Sequence, residues 1–356
     1  MNKILRVKLR RLIILSFIVF IVISCAENSP KFNGDTISER ITFGEKSLAN
    51  PEDVRPERER GINSIANRNY DRAFRTLTNY LESKTNDPEA RIFLNNLEVE
   101  KSKKPYHVIA VSMPISSNLN SSLEILRGVA HAQYDWNFSR SGAEGMLKIA
   151  IADDDDNDSN NGTKIAEEVA TELAKRKEIL GVVGHYSSDT SIATTKIYQN
   201  DQLVSISPVS TSVELTDNTP YFFRTVPSDR AAAEALAKYA QTQLNSLKAV
   251  VFYNSDSNYS KSLRREFISD IGELNIIEDP DCDLYTWSKN PKDWRGKATK
   301  VLNRVKDSAN VLMLAPGSGY LDQALEIVQV NQGNLPVLGG DNLYSAKTLE
   351  KGGDSA

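Results

Sequence analysis

The stretch that decides the fold is residues 180–211, LGVVGHYSSDTSIATTKIYQNDQLVSISPVST. Two short apolar runs, LGVVG (180–184) and LVSIS (203–207), are each followed by a cluster of hydroxyl side chains, and the segment between them has a helical pattern. Short apolar runs that alternate with helices indicate βαβ units and a mostly parallel sheet. We therefore predict an α/β fold in which hydroxyl clusters follow the carboxyl ends of two buried strands.

The same alternation extends in both directions along the chain. Before this stretch, HVIAVSM (107–113) and LKIAIAD (147–153) predict strands, with helices over about 122–138 and 163–176. After it, KAVVFYN (248–254), NIIED (275–279), NVLMLAP (310–316) and PVLGGD (336–341) alternate with helices over about 259–271, 292–307 and 320–331. We predict two doubly wound, Rossmann-like lobes, residues 106–226 and 227–345, joined by a hinge near 224–228.

The first 25 residues have the composition of a secretory signal. A basic start precedes the apolar run LIILSFIVFIVIS (12–24), which is too short to span a bilayer comfortably, and Cys25 follows. A small residue followed by cysteine resembles the lipobox of bacterial lipoproteins, in which the cysteine carries the lipid. We expect export to the periplasm or cell surface with anchoring through Cys25; an uncleaved anchor or ordinary cleavage are the alternatives.

Residues 26–56 are polar and predict a linker, and residues 57–100 have a helical pattern. The spacing of Gly61, Tyr70, Ala73, Leu77 and Pro88 resembles one tetratricopeptide repeat. A single repeat cannot bury its own apolar face, so it must pack on the next domain or on a protein partner. The sequence leaves both possibilities open.

Composition and motifs argue against several functional classes. The net charge of −4 does not favour nucleic-acid binding, and no phosphate-binding glycine motif follows a strand. The segment GHYSS lacks the nucleophile-elbow pattern, and His185 is too close in sequence to Ser187 to be its expected base. The histidines are scattered, and the acidic run at 153–158 predicts a solvated loop. We predict neither an enzyme nor a metal or cofactor site.

Five ordered segments carry a family resemblance. They are LEILRGVAHAQ (123–133), VVGHYSSDTSIATTKIYQ (182–199), LVSISPVSTSVELT (203–216), YFFRTVPSD (221–229) and LPVLGGDNLYS (335–345). Together they resemble the type I periplasmic binding proteins, specifically the leucine/isoleucine/valine-binding group of amino-acid ABC importers. The resemblance implies a hinged, two-lobed receptor that holds a small ligand between its lobes and presents it to a membrane permease.

Carried over position by position, the resemblance implies a set of ligand-binding residues. Ser188 corresponds to the serine that binds the ligand carboxylate, Tyr259 to an aromatic residue that closes over the ligand, and Asp341 to the acidic partner of the ammonium. The full set of predicted ligand-binding residues is Ser188, Val209, Ser210, Thr211, Tyr259 and Asp341, with Ser187, Asn118, Ser318 and Tyr320 as further candidates.

The resemblance also implies that the chain should return to the first lobe after the GGD motif. Residues 346–356 are expected to begin that return, and the elements that complete the first lobe are expected to be missing, in a fragment or a truncated gene. Two other functions stay open at this stage. One is a ligand-sensing interaction protein of the same fold, whose helical segment binds a protein partner, and the other is a remnant that binds no ligand.

Overall fold

The computed structural model describes residues 36–49, 55–139, 145–155, 163–216, 219–244, 248–288, 290 and 293–352. The signal segment and Cys25 lie outside these residues. The first sheet consists of β1 (Ile41–Thr42), β2 (Tyr106–Met113), β3 (Met146–Asp153), β4 (Ile179–Val183), β5 (Val204–Ser207) and β6 (Phe222–Arg224). Its order is β1-β3-β2-β4-β5-β6, with β1 antiparallel to β3 and every other pair parallel.

Helices cover both faces of this sheet, which together with them is called lobe 1. On one face, α5 (Lys164–Lys175) and α6 (Ser188–Asn200) pack their apolar side chains against Val108, Ala110 and Ala150. On the other, α3 (Pro88–Ser102) contacts β3 and also α4 (Leu119–Tyr134), which continues as a wider turn over Asp135–Ser139. Burial on both faces explains why these strands are nearly continuous apolar runs.

Lobe 2 contains the parallel sheet β7 (Ala249–Tyr253), β8 (Val311–Ala315) and β9 (Val337–Gly339). One face packs on α7 (Asp229–Thr242) and α8 (Asn258–Ile271), and the other on α9 (Trp294–Val305), α10 (Leu321–Asn331) and the buried Trp287. The chain enters lobe 2 through residues 225–228. The NIIED segment forms only one bridge, Ile276 beside Ala249, and is not a full strand.

The final described helix, α11 (Ala346–Gly352), contacts α10 in lobe 2. Lys347 and Lys351 both pair with Asp322 of α10, at 2.9 and 2.8 Å. The return to lobe 1 that was expected from residue 346 onward therefore does not begin within this helix, and residues 353–356 lie outside the described part of the chain.

The helical segment consists of α1 (Pro56–Ala66), α2 (Tyr70–Ser83) and the already named α3. Helices α1 and α2 pack closely because residue 61 is glycine: a Cβ there would lie 2.5 Å from Leu77 Cδ2. Helix α3 joins this hairpin to lobe 1 through Asn96, whose side-chain amide bonds both the N–H and the carbonyl of Ile149 in β3, at 2.9 and 2.8 Å. The hairpin thus packs on the α/β body.

Part of the predicted linker is ordered, which corrects the expectation for residues 37–49. Ile41 and Thr42 are buried and extend the first sheet, because they pair with Ala152 and Ile151 of β3. The amide groups of residues 48 and 49 donate to the buried carboxylate of Glu89. Among the described residues, no helix is both long and apolar enough to cross a membrane.

Candidate ligand-binding cleft

A cleft of about 550 Å³ lies where the carboxyl ends of strands from both lobes meet. In lobe 1 the strand order reverses between β2 and β4, and the loops after such strands form the usual crevice of a doubly wound sheet. Loops after β2, β4 and β5 line one side, and segments after β7, β8 and β9 line the other. The lining residues are Asn118, Asn120, Ser121, Tyr186, Ser187, Ser188, Asp189, Val209, Ser210, Thr211, Ser257, Tyr259, Ser318, Leu321, Asp341, Asn342, Tyr344, Ser345, Ala346 and Lys347.

The two serines after β4 have different surroundings. Ser187 is the N-cap of α6, and its hydroxyl accepts the Thr190 N–H at 3.1 Å. Ser188 is buried in the first turn, and its Oγ accepts the Ser212 N–H at 3.2 Å, which leaves its hydroxyl hydrogen available to donate. The free N–H groups at the start of a helix also favour an anion. Ser188 can therefore donate to a ligand, whereas Ser187 mainly holds the loop.

The segment after β5 contributes Val209, Ser210 and Thr211. The Ser210 hydroxyl lies 2.7 Å from Ser191 Oγ, and its N–H donates to Ser207 at 2.9 Å, so Ser210 already bonds within lobe 1. Thr211 is different: its Oγ1 is buried but has no hydrogen-bond partner among the described residues. The hydroxyl does lie close enough to the Asp229 carboxylate to lower the pKa of Asp229, so a polar ligand atom would compete with Asp229 for it.

Asp229 lies behind Thr211 and is almost completely buried. Its N–H donates to the Thr211 carbonyl at 2.8 Å, and its Oδ2 forms no hydrogen bond with any described residue. Burial raises the pKa of Asp229 to about 6, while the nearby hydroxyls of Ser262 and Thr211 lower it and the charge of Asp341 raises it. Negative charge is thus concentrated where lobe 2 begins.

In lobe 2 the predicted pair Tyr259 and Asp341 interact directly. The Tyr259 hydroxyl donates to Asp341 Oδ1 at 2.8 Å, and burial, with Asp341 nearby, raises the pKa of Tyr259 well above its ordinary value. Gly340 makes this approach possible, because a Cβ at that position would collide with the Tyr259 hydroxyl. Asp341 is solvent-exposed in the cleft, so its carboxylate can still accept from a ligand.

Three of the four further candidate residues line the cleft, and one does not. Asn118 and Ser318 line the cleft, as do the six principal predicted residues and Ser187. Tyr320 does not, because it packs against the hydrophobic cluster of lobe 2 that contains Trp287. The aromatic residue next to α11 that does line the cleft is Tyr344, which sequence reasoning did not select.

Asp189 connects the two lobes, and its role was also missed. Its carboxylate accepts the N–H of Asn258, at the start of α8 in lobe 2, at 2.9 and 3.1 Å, and lies 3.4 Å from Ser257 Oγ. A second bond between the lobes runs from the Val213 N–H to Ser262 Oγ at 3.0 Å. Burial raises the pKa of Asp189. The residue stands in the quoted hydroxyl cluster, but nothing in the sequence identifies its partner.

His185 lies beneath the cleft and has partners on both sides of its ring. Nδ1 is 2.5 Å from Asp154 Oδ2, and Nε2 is 2.9 Å from the Tyr198 hydroxyl, with all three side chains buried. Because both nitrogens are engaged, the imidazole is not placed to activate Ser187 or Ser188. The arrangement fixes the loop between β4 and α6 and offers no nucleophile–base pair.

The acidic run that begins at residue 153 is not a solvated loop at its start. Asp153 is buried and bonds Arg40 at 2.8 Å and the Ser116 N–H at 3.1 Å, and buried Asp154 bonds Ser112 as well as His185. Paired or hydrogen-bonded carboxylates can be buried at an acceptable free-energy cost. Residues 156–158 lie outside the described part. Within that part, no group of three or more His, Cys, Asp or Glu side chains is arranged to hold a metal.

Comparison with known proteins gives the family. The model of the family described as "Receptor family ligand binding region" matches residues 129–318, just over half of the chain. The chain belongs to this family. The type I periplasmic binding protein fold and the resemblance predicted from the sequence are thereby confirmed. The family's members and the neighbouring structures are binding proteins.

The individual relatives have low sequence identity to this chain. An "Amino acid binding protein" of Pseudomonas aeruginosa is 26% identical over 198 residues, which are 54% of this chain and 50% of the relative, so the chain spans about half of that protein's length. A leucine-binding protein from Thermotoga maritima has a TM-score of 0.55 at 18% identity, covering 70% of this chain and 67% of its own. A solute-binding protein of an ABC transporter from R. palustris, in complex with 4-hydroxybenzoate, also has a TM-score of 0.55, at 14% identity and 70% and 66% coverage.

Proposed function

We propose that this chain is an extracytoplasmic solute-binding protein of an ABC importer, which binds an amino acid between its lobes and presents it to a membrane permease. The observation that carries the proposal is that hydrogen-bond donors line one side of the cleft and a carboxylate lines the other. Lobe 1 provides the hydroxyls of Thr211 and Ser188 and a helix N-terminus, and lobe 2 provides the exposed Asp341 carboxylate. Such a site suits a zwitterion: hydroxyls and N–H groups favour a carboxylate, and Asp341 favours an ammonium.

The relatives support a carboxylate-bearing ligand. Leucine and 4-hydroxybenzoate, named for two structures of the same fold, share a carboxylate, but only leucine also has an ammonium. Because Asp341 adds a negative charge opposite Ser188 and Thr211, an amino acid is the better match for this cleft. Binding would occur first on lobe 1, and closure at 225–228 would bring Tyr259 and Asp341 over the ligand.

The test is a thermal-shift and calorimetry screen of the full-length chain, purified in mild detergent, against the proteinogenic amino acids and small amides. A ligand present at about 100 times its Kd should add about 2.7 kcal/mol to the free energy of unfolding. Asp341→Asn and Thr211→Val should each weaken binding about ten-fold or more. Asp307→Asn, an exposed change of the same charge in lobe 2, is the matched control and should bind as the wild type does.

Failure of every amino acid to stabilise the chain would refute the amino-acid proposal. Equal affinities for the wild type and Asp341→Asn would remove Asp341 from its assigned role. Export and lipid anchoring through Cys25 also belong to the proposal, and Cys25→Ser should abolish fatty-acid labelling of the protein in a bacterial host. A protein partner for helices α1–α3 and the predicted domain boundaries stay predictions.

A further inference from the structure

The part of the cleft beyond Thr211 and Asp341 is lined by more polar than apolar residues, and its apolar members are Leu321, Tyr344 and Ala346. A branched aliphatic side chain gains about 1.5–3 kcal/mol on burial only if it replaces water with apolar neighbours. Here it would contact Leu321, Tyr344 and Ala346 but would also cover amide, hydroxyl and ammonium groups, which lose water without gaining a partner and so reduce that gain. The polar side chains concerned are Asn118, Asn120, Ser121, Ser318, Asn342, Ser345 and Lys347.

Asn342 carries the most specific signal. It follows Asp341 in the turn after β9, and its Nδ2 is buried without a hydrogen-bond acceptor in the described structure. An amide nitrogen only donates, so the atom that satisfies it must be an acceptor, such as a carboxylate or carboxamide oxygen. Nδ2 itself is covered by protein atoms, so the Asn342 side chain must turn toward the cleft, which it lines beside Asp341, for a bound ligand to supply that oxygen.

On the lobe 2 side of the cleft, where Asn342 lies, two lysines pair with a single carboxylate. Lys347 of α11 lines the cleft and is 2.9 Å from Asp322, while Lys351 contacts the other carboxylate oxygen of Asp322 at 2.8 Å. Two ammonium groups therefore share one carboxylate. Lys351 can keep Asp322 paired while Lys347, whose side chain is 43% exposed, turns to a ligand.

We propose that the cleft selects an α-amino acid whose side chain ends in a carboxylate or carboxamide, with Asn342 Nδ2 and Lys347 Nζ donating to its terminal oxygens. This inference rests on the proposed function, because it assumes that the α-ammonium and α-carboxylate lie at Asp341 and at Ser188 with Thr211. The preferred ligands are then glutamate, glutamine and their shorter homologues, and leucine is disfavoured.

The test compares glutamate, glutamine, methionine and leucine by calorimetry on the full-length protein. Glutamate or glutamine should bind about ten-fold or more tightly than leucine or methionine. Lys347→Met should weaken glutamate about ten-fold and glutamine less, which separates a carboxylate from a carboxamide ligand. Asn342→Leu should weaken the binding of both glutamate and glutamine, and it should reduce or reverse the difference between their affinities and that of leucine.

Lys300→Met, which changes an exposed lysine that pairs with Asp281 and does not line the cleft, is the control and should leave all affinities unchanged. Leucine binding as tightly as glutamate and glutamine would overturn the inference while leaving the proposed function in place. Unchanged glutamate and glutamine affinities in both Lys347→Met and Asn342→Leu would overturn it as well. Absence of binding by any amino acid would refute the proposed function, and this inference with it.

Discussion

Asp229 provides a quantitative test, because its carboxyl group is buried and its pKa is raised from 3.8 to about 6. The folded chain holds this proton more tightly than the unfolded chain does. Its contribution to stability is fully present below about pH 3.8 and is lost as the pH rises through about 6. A pKa difference of about 2.2 corresponds to about 3 kcal/mol of unfolding free energy. Asp229→Asn cannot lose a proton and removes this dependence.

The assay is urea unfolding of the wild type and Asp229→Asn at about pH 4 and about pH 7.5. At the lower pH both side chains are neutral and similar in shape, so their stabilities should nearly match. At the higher pH the variant should gain up to about 3 kcal/mol relative to the wild type. Asp307→Asn should show no such change. If the difference between Asp229→Asn and the wild type is the same at both pH values, Asp229 does not titrate as its burial implies.

Two further perturbations test the packing of the lobes and of the helical segment. Asp189→Ala removes the acceptor that lobe 1 offers to the Asn258 N–H, so the contact between the lobes should lose about 1 kcal/mol. Ligand affinity should then fall about five-fold, and X-ray scattering should show a larger radius of gyration. An unchanged radius and affinity would contradict this. Arg58 is buried and pairs with the buried carboxylates of Asp87, at 2.7 Å, and Glu89. Arg58→Met leaves both carboxylates without their cation, so urea unfolding should show a loss of about 3–5 kcal/mol in the free energy of unfolding. A loss below about 1 kcal/mol would show that the two carboxylates do not depend on Arg58.

The sequence predicts the α/β fold because strand and helix periods alternate clearly from residue 106 onward. It also predicts which loops line one cleft, because the carboxyl ends of parallel strands lie at the same edge of a sheet. Ser188 and Thr211, far apart along the chain, are brought together for this reason. The placement of Asn118 and Ser318 at the cleft follows the same rule.

Other features depend on contacts that periodicity does not encode. The strand Ile41–Thr42 is too short to show a pattern, and only its pairing with β3 identifies it. Asp153 and Asp154 resemble a solvated charge run until Arg40 and His185 are placed beside them. The bond of Asp189 to α8 depends on how the lobes face each other, which no local sequence signal reports.

The contact of Asn96 with β3 has a practical consequence for measuring motion. Because the Asn96 amide bonds the backbone of Ile149, and Gln133 of α4 donates to its carbonyl oxygen at 2.8 Å, the middle of helix α3 is joined to strand β3. A fluorophore on the exposed face of the neighbouring hairpin therefore reports the position of lobe 1. With a second dye on α9, energy transfer between the two dyes measures the distance between the hairpin and lobe 2, and this distance changes when the lobes separate.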